Sequence, residues 1–245
     1  MTHADPRKWS ERTLQLIGEE SYRRLKDAHV LVVGLGGVGG AAAEMICRAG
    51  VGTMTIVDGD IVQESNINRQ IPALYSKLGR KKAEVVAERL LAINPELVLH
   101  VIPEFIRDER MEEILSTPFD YVVDAIDTLS PKIYLIYHSL NKGLRITSSM
   151  GSGGKLDPAQ VRISDLKDSF NCRLAYVLRK KLRKLGVEGG FQVVFSTEQV
   201  DRELIIPVEN EQNKKSTVGT ISYMPAIFGC MLASVVIRDL SGKQG

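Results

Sequence analysis

A Rossmann-like, doubly wound and mostly parallel α/β sheet with an elaborated C-terminal half is the fold this sequence predicts, and three observations predict it. Short apolar runs alternate with segments of helical period through about residue 150, the pattern of a parallel sheet covered on both faces. A glycine run stands directly behind the first apolar run. No internal repeat or low-complexity tract breaks the order. Residues 1–245 therefore read as one domain, regular over about 1–150 and less regular over about 151–245.

The elements follow in order. Residues 10–26 read as a helical region with Leu14, Ile17, Tyr22 and Leu25 on one side, interrupted at Gly18. Residues 29–33 are an apolar strand, and 41–49 an alanine-rich, tightly packed helix. The second strand spans 51–58. A helix with a basic start covers 79–93 and stops at Asn94-Pro95. Strands at 97–102, 121–125 and 145–149 enclose a short helix at 111–115 and a longer one at 131–142. Beyond them, 160–163 and 192–197 read as strands bracketing a very basic helix over 172–185. Residues 151–154 and 211–219 read as loops.

Composition bounds the rest. A chain of 245 residues with 44% hydrophobic and 25% charged residues is ordinary for a globular protein that buries one large core. A net charge of +2 demands no nucleic-acid partner, although a local basic surface is compatible with it. Cys47, Cys172 and Cys230 lie far apart without a C-x-x-C pair, which argues against a disulfide scaffold and a four-thiolate zinc site. The first thirty residues are charged throughout and carry no secretory pattern, so the expected location is the cytoplasm. Residues 221–240 are apolar and only marginally long enough to cross a bilayer, and they contain Pro225 and Gly229. A core helix is the favoured reading, and contact with a membrane the disfavoured one.

The chemistry begins at the glycine run. Gly34, Gly36 and Gly39, with Gly37 between them, form G-x-G-x-x-G after a strand and before a helix. Such glycines permit a tight turn and let phosphate oxygens approach backbone N–H groups at a helix N-terminus. Asp58 ends the next strand, where an acid commonly holds ribose hydroxyls. An NAD or FAD enzyme would show the same two features. The stretch Asp58 to Gln70 adds Asp60, Ser65, Asn66, Arg69 and Gln70, more polar machinery than a dehydrogenase needs. Arg69 and Lys82 could supply the cations a triphosphate requires, although Lys82 taken alone reads first as part of a solvated face. Asp124 and Asp127 close the fourth strand at the edge where α/β sheets bind ligands. Asp127 suits a Mg²⁺ on the phosphates, and Asp124 the turn; a helix cap is the competing role for Asp127.

Together these pieces resemble the ubiquitin-activating-type superfamily, which includes adenylyltransferases of molybdopterin and thiamine biosynthesis. The likeness covers about residues 12–149 and rests on an ordered set. It comprises the glycine loop, D-x-D at Asp58, S-N-x-x-R-Q at Ser65, G-x-x-K at Gly79, I-N-P at Ile93 and D-x-x-D at Asp124. The resemblance implies an ATP enzyme that activates a carboxylate, with 1–150 as the nucleotide-binding half and 151–245 facing the substrate. It implies that Asp58 holds the ribose, that Asn66, Arg69 and Lys82 contact phosphates, and that Asp127 serves Mg²⁺. It also implies a homodimer in which Arg12 reaches the partner's site. Read without the family, Arg12 is an exposed helix charge.

In the second half the chain is similar to the tRNA threonylcarbamoyladenosine dehydratases. The matching residues are Asp124 to Lys132, Gly151 to Gly154 followed by Asp157-Pro158, Ser164 to Leu166, Val194 to Glu198, and the basic helix from Leu174 to Leu185. This implies a tRNA substrate whose threonylcarbamoyl carboxylate is activated by ATP, most simply as an acyl-adenylate, and then closed into a ring by its own carbamoyl group. Phosphorylation of the carboxylate is the less favoured variant. An intramolecular attack needs no enzyme thiol. Arg173, Arg179, Lys180, Lys181, Arg183 and Lys184, with Lys214 and Lys215, are the candidate tRNA contacts, and Leu174, Leu178, Leu182 and Leu185 the expected buried stripe. A solvated amphipathic helix is the bland reading. A monovalent cation, Na⁺ or K⁺, near Gly151 to Gly154 and a sulfur-transfer protein partner stay open, and no zinc is expected. The alternatives are an adenylyltransferase for a ubiquitin-like sulfur carrier, in which Cys172 would have a role, and an NAD-linked oxidoreductase.

Overall fold

The computed structural model describes residues 8–201, 205–207 and 216–243. Two short helices, α1 (Glu11–Ile17) and α2 (Glu19–Asp27), meet at Gly18, whose φ of 84° turns the chain between them. Of the expected stripe, Leu25 is fully buried, while Leu14, Ile17 and Tyr22 are only partly covered. Strands β1 (His29–Val33), β2 (Thr53–Val57), β3 (Val98–Ile102), β4 (Tyr121–Asp124), β5 (Ile146–Ser149) and β7 (Gln192–Ser196) run parallel; β6 (Val161–Asp165) pairs antiparallel with β7. The sheet order is β3-β2-β1-β4-β5-β7-β6. Chain order reverses between β1 and β4, the switch point where such sheets open a crevice.

The core lies on both faces of this sheet. Along β1, Val30 and Val32 point to one face, and Leu31 and Val33 to the other, the two-residue period of a doubly covered strand. One face is closed by α3 (Gly37–Ala49), α4 (Lys82–Ile93) and α8 (Tyr223–Ser241); the other by α5 (Asp108–Ile114), α6 (Leu129–Asn141) and α7 (Arg173–Arg183). Within α3, Glu44 is buried between Arg48 and Arg89, at 2.9 and 2.5 Å. Burial pushes its carboxyl up, but the two guanidiniums more than offset this and hold it below the usual range.

Helix α8 has the length and composition to cross a membrane, yet it packs on α3 as a core helix. Met224, Phe228, Leu232, Val235 and Val236 are sealed, each burial contributing about 1.5–3 kcal/mol. A Cβ at Gly229 would collide with the Val38 carbonyl and Ala41, so the two helices meet backbone to backbone there. Strands β8 (Ile205–Pro207) and β9 (Ser216–Val218) form a separate antiparallel ribbon, so residues 216–218 are strand within a stretch that reads as loop. The buried stripe of α7 is also narrower than expected. Ala175, Leu178 and Leu182 are sealed, Leu174 is half-covered, and Leu185 is exposed because the helix ends at Arg183, two residues before it.

Candidate nucleotide site at the carboxyl edge of the sheet

The loop after β1 is built to let backbones touch. Gly34 has a φ of 86°, and its N–H donates to the Val57 carbonyl at 2.9 Å. A Cβ there would lie 2.7 Å from the Ala125 carbonyl, and one at Gly39 would overlap the Gly34 carbonyl. The loop between β1 and α3 is thereby wedged against the end of β4. Helix α3 begins at Gly37 with Gly36 as its cap residue and no side-chain cap bond. Its first N–H groups and the positive end of its dipole face the switch point, which is the physical requirement for an anion site.

Asp58 and Asp60 follow β2. Asp58 accepts the Leu35 N–H at 2.6 Å and the Asp60 N–H at 2.8 Å, tying the glycine loop to the next turn. Burial pushes its carboxyl up, against the pull of Lys82 and these two N–H groups. Asp60 is half exposed and pairs with Lys82 Nζ at 2.9 Å. Lys82 opens α4 and is itself only 7% exposed, its N–H donating to the Asp60 carbonyl at 2.9 Å. The ammonium is thus fixed at the site with a partner that water can solvate.

Residues 63–70 wrap beside this pair. Asn66 is buried and accepts the Gln63 N–H at 3.1 Å. Gln70 is buried, and its amide nitrogen would be 3.7 Å from a Cβ at Gly36. Arg69 donates to the Ser65 carbonyl at 2.7 Å and to Asn68 at 2.8 Å, and its own carbonyl lies against Gly37. Ser65 is exposed. Asn68 donates to the Thr220 carbonyl at 3.0 Å, joining this turn to the segment before α8.

At the end of β4 the two acids part company. Asp127 is exposed at the carboxyl edge, and the cap position of α6 falls to Thr128. Asp124 is fully buried and orients the turn, accepting the Ile126 N–H at 3.1 Å. Its other oxygen meets Lys132 Nζ at 2.7 Å and the Ser148 hydroxyl at 2.5 Å. Lys132 also donates to the Ile126 carbonyl at 2.8 Å. Ile126 is clamped at both its N–H and its carbonyl, and the next residue is Asp127. Reasoning from the sequence did not single out Lys132 or Ser148. The available signal was a lysine four residues before Ile136, on the apolar face of α6.

The remaining candidates are more scattered. Arg12 is exposed on α1. On α7, Arg173, Lys180, Lys181 and Arg183 are exposed, as is Lys184 just after it. Arg179 is instead tethered, reaching the Ser169 carbonyl at 2.7 Å, the Ser169 hydroxyl and the Leu166 carbonyl at 3.3 Å. Lys214 and Lys215 lie outside the described residues. Gly154 donates to Gly219 at 2.8 Å, placing the glycine run beside β9. Next to it Lys155 is buried against the Glu198 carbonyl, and burial lowers its ammonium's pKa. Cys47 is buried in the core with its thiol pushed up to about 11, so it stays protonated at neutral pH. Cys172 is half-buried at the start of α7, and Cys230 is exposed on α8. No cluster of three metal-ligating side chains occurs among the described residues; Mg²⁺ typically needs only one or two carboxylates beside phosphate oxygens, which Asp127 could provide. A recess of about 470 Å³ bounded by Arg145, Arg238, Asp239 and Gly242 lies at the opposite edge, where β5 begins.

Comparison with known proteins extends through both halves. The model of the ThiF family matches residues 10–245. The tRNA threonylcarbamoyladenosine dehydratase of Bacillus subtilis is 36% identical over 231 residues, covering 91% of each chain. A crystal structure of the Escherichia coli tRNA N6-threonylcarbamoyladenosine dehydratase in complex with ATP superposes with a TM-score of 0.88 at 34% identity, covering 100% of both chains. The sulfur carrier protein adenylyltransferase of Thermus thermophilus is 40% identical over 123 residues, only 50% of this chain.

Proposed function

The chain belongs to the ThiF family, and from that premise we propose that it is an ATP-dependent tRNA threonylcarbamoyladenosine dehydratase. One observation carries this reading: likeness to dehydratases spans 91% of the chain or more, whereas likeness to the sulfur-carrier adenylyltransferase spans half. The proposed reaction uses ATP at the carboxyl edge. The threonylcarbamoyl carboxylate displaces pyrophosphate to give an acyl-adenylate. The carbamoyl group of the same side chain then attacks the acyl carbon and expels AMP. A ring forms, and the nucleoside has lost one water.

The residues are assigned by where they stand. Gly34, Gly36, Gly37 and Gly39 open the first turn of α3 to the phosphates, with Asp58 beside the ribose. Lys82, Arg69 and Asn66 attend the phosphates with Ser65, Gln70 and Asp60 around them, and Asp127 would hold a Mg²⁺, which would supply positive charge to the phosphates. The half-open Lys82–Asp60 pair supports this, since a phosphate could replace a solvated carboxylate at little desolvation cost. A second copy of the chain would bring Arg12 to the site, so the working form is read as a homodimer in the cytoplasm, alongside its tRNA. A sulfur-transfer partner and a monovalent cation beside Gly151 to Gly154 belong to the same reading.

The deciding experiment incubates the protein with ATP, Mg²⁺ and tRNA carrying the open modification, then digests the RNA to nucleosides. A nucleoside lighter by one water is the expected product. An unchanged nucleoside, with pyrophosphate exchange driven by a sulfur-carrier protein, would assign the adenylyltransferase reading instead.

A further inference from the structure

Helix α7 carries one feature that neither the ATP site nor its own packing explains. Tyr176, in its second turn, is 61% exposed, and its hydroxyl has no partner among the described residues. It stands on the most basic element of the chain, and α7 contains no acid in RLAYVLRKKLR. Tyr176, Lys180 and Arg183 share one face at i, i+4 and i+7. With Arg179 they bound a recess of about 190 Å³. Arg179 forms a fixed wall, because its guanidinium is held by oxygens of Leu166 and Ser169. Among the described residues no carboxylate is ion-paired with Lys180 or Arg183.

We propose that this face is a platform for single-stranded RNA, on which Tyr176 stacks one unpaired base of the tRNA while Lys180 and Arg183 hold neighbouring phosphates. An aromatic ring interleaved with unpaired cations is what unpaired nucleotides bind, since every base has a face to stack and every linkage a charge to neutralise. The span from residue 176 to residue 183 is about 10 Å at the helical rise, room for more than one phosphate. The platform also starts in the right place. Asn171, two residues before α7, donates to the Thr197 carbonyl at 2.8 Å, just beyond the end of β7. The first turn of α7 thus stands at the carboxyl edge of the sheet that carries the candidate nucleotide site, and the helix runs away from it. An RNA strand with its modified base at that edge would continue along α7.

The inference rests on the tRNA reading of the function, and its test separates the two. Tyr176→Phe, Tyr176→Ala and a Lys180→Ala/Arg183→Ala double variant of the full chain are compared with the parent. The probe is tRNA carrying the open modification, titrated at several salt concentrations. Tyr176→Ala should weaken binding about 5- to 150-fold, the value of one base stack, with the salt slope unchanged, and Tyr176→Phe should bind like the parent. The double variant should flatten the slope by about 1.4, the release of counterions from two contacts to a single strand. Thermal stabilisation by ATP should be the same in all four proteins, which controls for folding. Unaltered affinity in Tyr176→Ala, or equal losses in Ala and Phe, would overturn the platform. A parent that dehydrates the nucleoside while Tyr176→Ala binds tRNA normally removes the platform and leaves the enzyme. A parent that neither binds nor alters the tRNA removes both.

Discussion

Two lysine–aspartate pairs stand at the same edge of the sheet, and their surroundings make them opposites. Lys132 and Asp124 are 2.7 Å apart and fully sealed, with Ser148 and the backbone of Ile126 taking up the remaining bonds. Lys82 and Asp60 are 2.9 Å apart, but the Asp60 side chain is 53% exposed. A sealed pair cannot exchange a partner without stranding a charge in a low-dielectric interior. An open pair can, because the released carboxylate simply hydrates. One lysine is thus locked into the architecture, while the other has a partner that water can take over, as its proposed phosphate role requires. Both lysines are buried as single residues, so solvent access to the lysine alone does not tell them apart.

The largest expected effect is that of Lys132→Ala. Leaving Asp124 buried without its cation should cost about 3–5 kcal/mol of stability, read as a lower urea midpoint with an unchanged slope. Combining Lys132→Met with Asp124→Leu should recover much of that loss, since an apolar pair of similar volume is often neutral. A Lys132→Ala protein as stable as the parent would show that the pair is not sealed. Lys82→Ala should do the reverse. Turnover should fall about 100- to 1,000-fold, the usual loss on removing one preorganised charge-stabilising group, while stability falls by less than in Lys132→Ala, because Asp60 is left hydrated. Comparable losses of stability in both variants would erase the distinction.

Asp58 supplies a finer test. Burial raises its pKa in the folded state above the ordinary Asp value. Its contribution to stability is therefore fully present below that ordinary value and is lost as pH rises through the higher, folded one. Against Asp58→Asn, the parent should lose relative stability across that window, measured by urea unfolding at a series of pH values. The smallest effect belongs to the surface, where Glu88 bonds Arg80 and sits 2.7 Å from Lys77. Those partners hold its carboxyl down to about 2, so the stability it brings is present above the ordinary Glu value and fades as pH falls toward that number. Glu88→Gln should change little at neutral pH, and less again in high salt.

Much of the fold was legible because each part of it is local. Alternating apolar runs gave the strands, Asn94-Pro95 stopped α4, and the spacing of Gly34, Gly36 and Gly39 marked the loop. The positions of Asp58, Lys82 and Asp127 beside the carboxyl edge follow because each stands at a strand end or helix start, which the chain order alone reveals. The failures were of another kind. Leu185 was expected in the buried stripe of α7, but the helix stops at Arg183 and the period no longer applies. Arg179 stands among the candidate tRNA contacts, and what the chain order does not reveal is its tether to Ser169 and Leu166, ten and thirteen residues earlier. Residues 216–218 lacked a strand signal because their partner is a short ribbon, not the main sheet.

The order of elements, the glycine-lined turn after β1 and the identity of the charges gathered at one edge follow from the residue pattern alone. Tertiary structure alone decided what each charge can do. Ser148 reaches Asp124 from 24 residues away and seals one pair. Asp60 lies on an open turn and leaves the other accessible to water. Solvation belongs to the assembled neighbourhood, and no local pattern of residues encodes it.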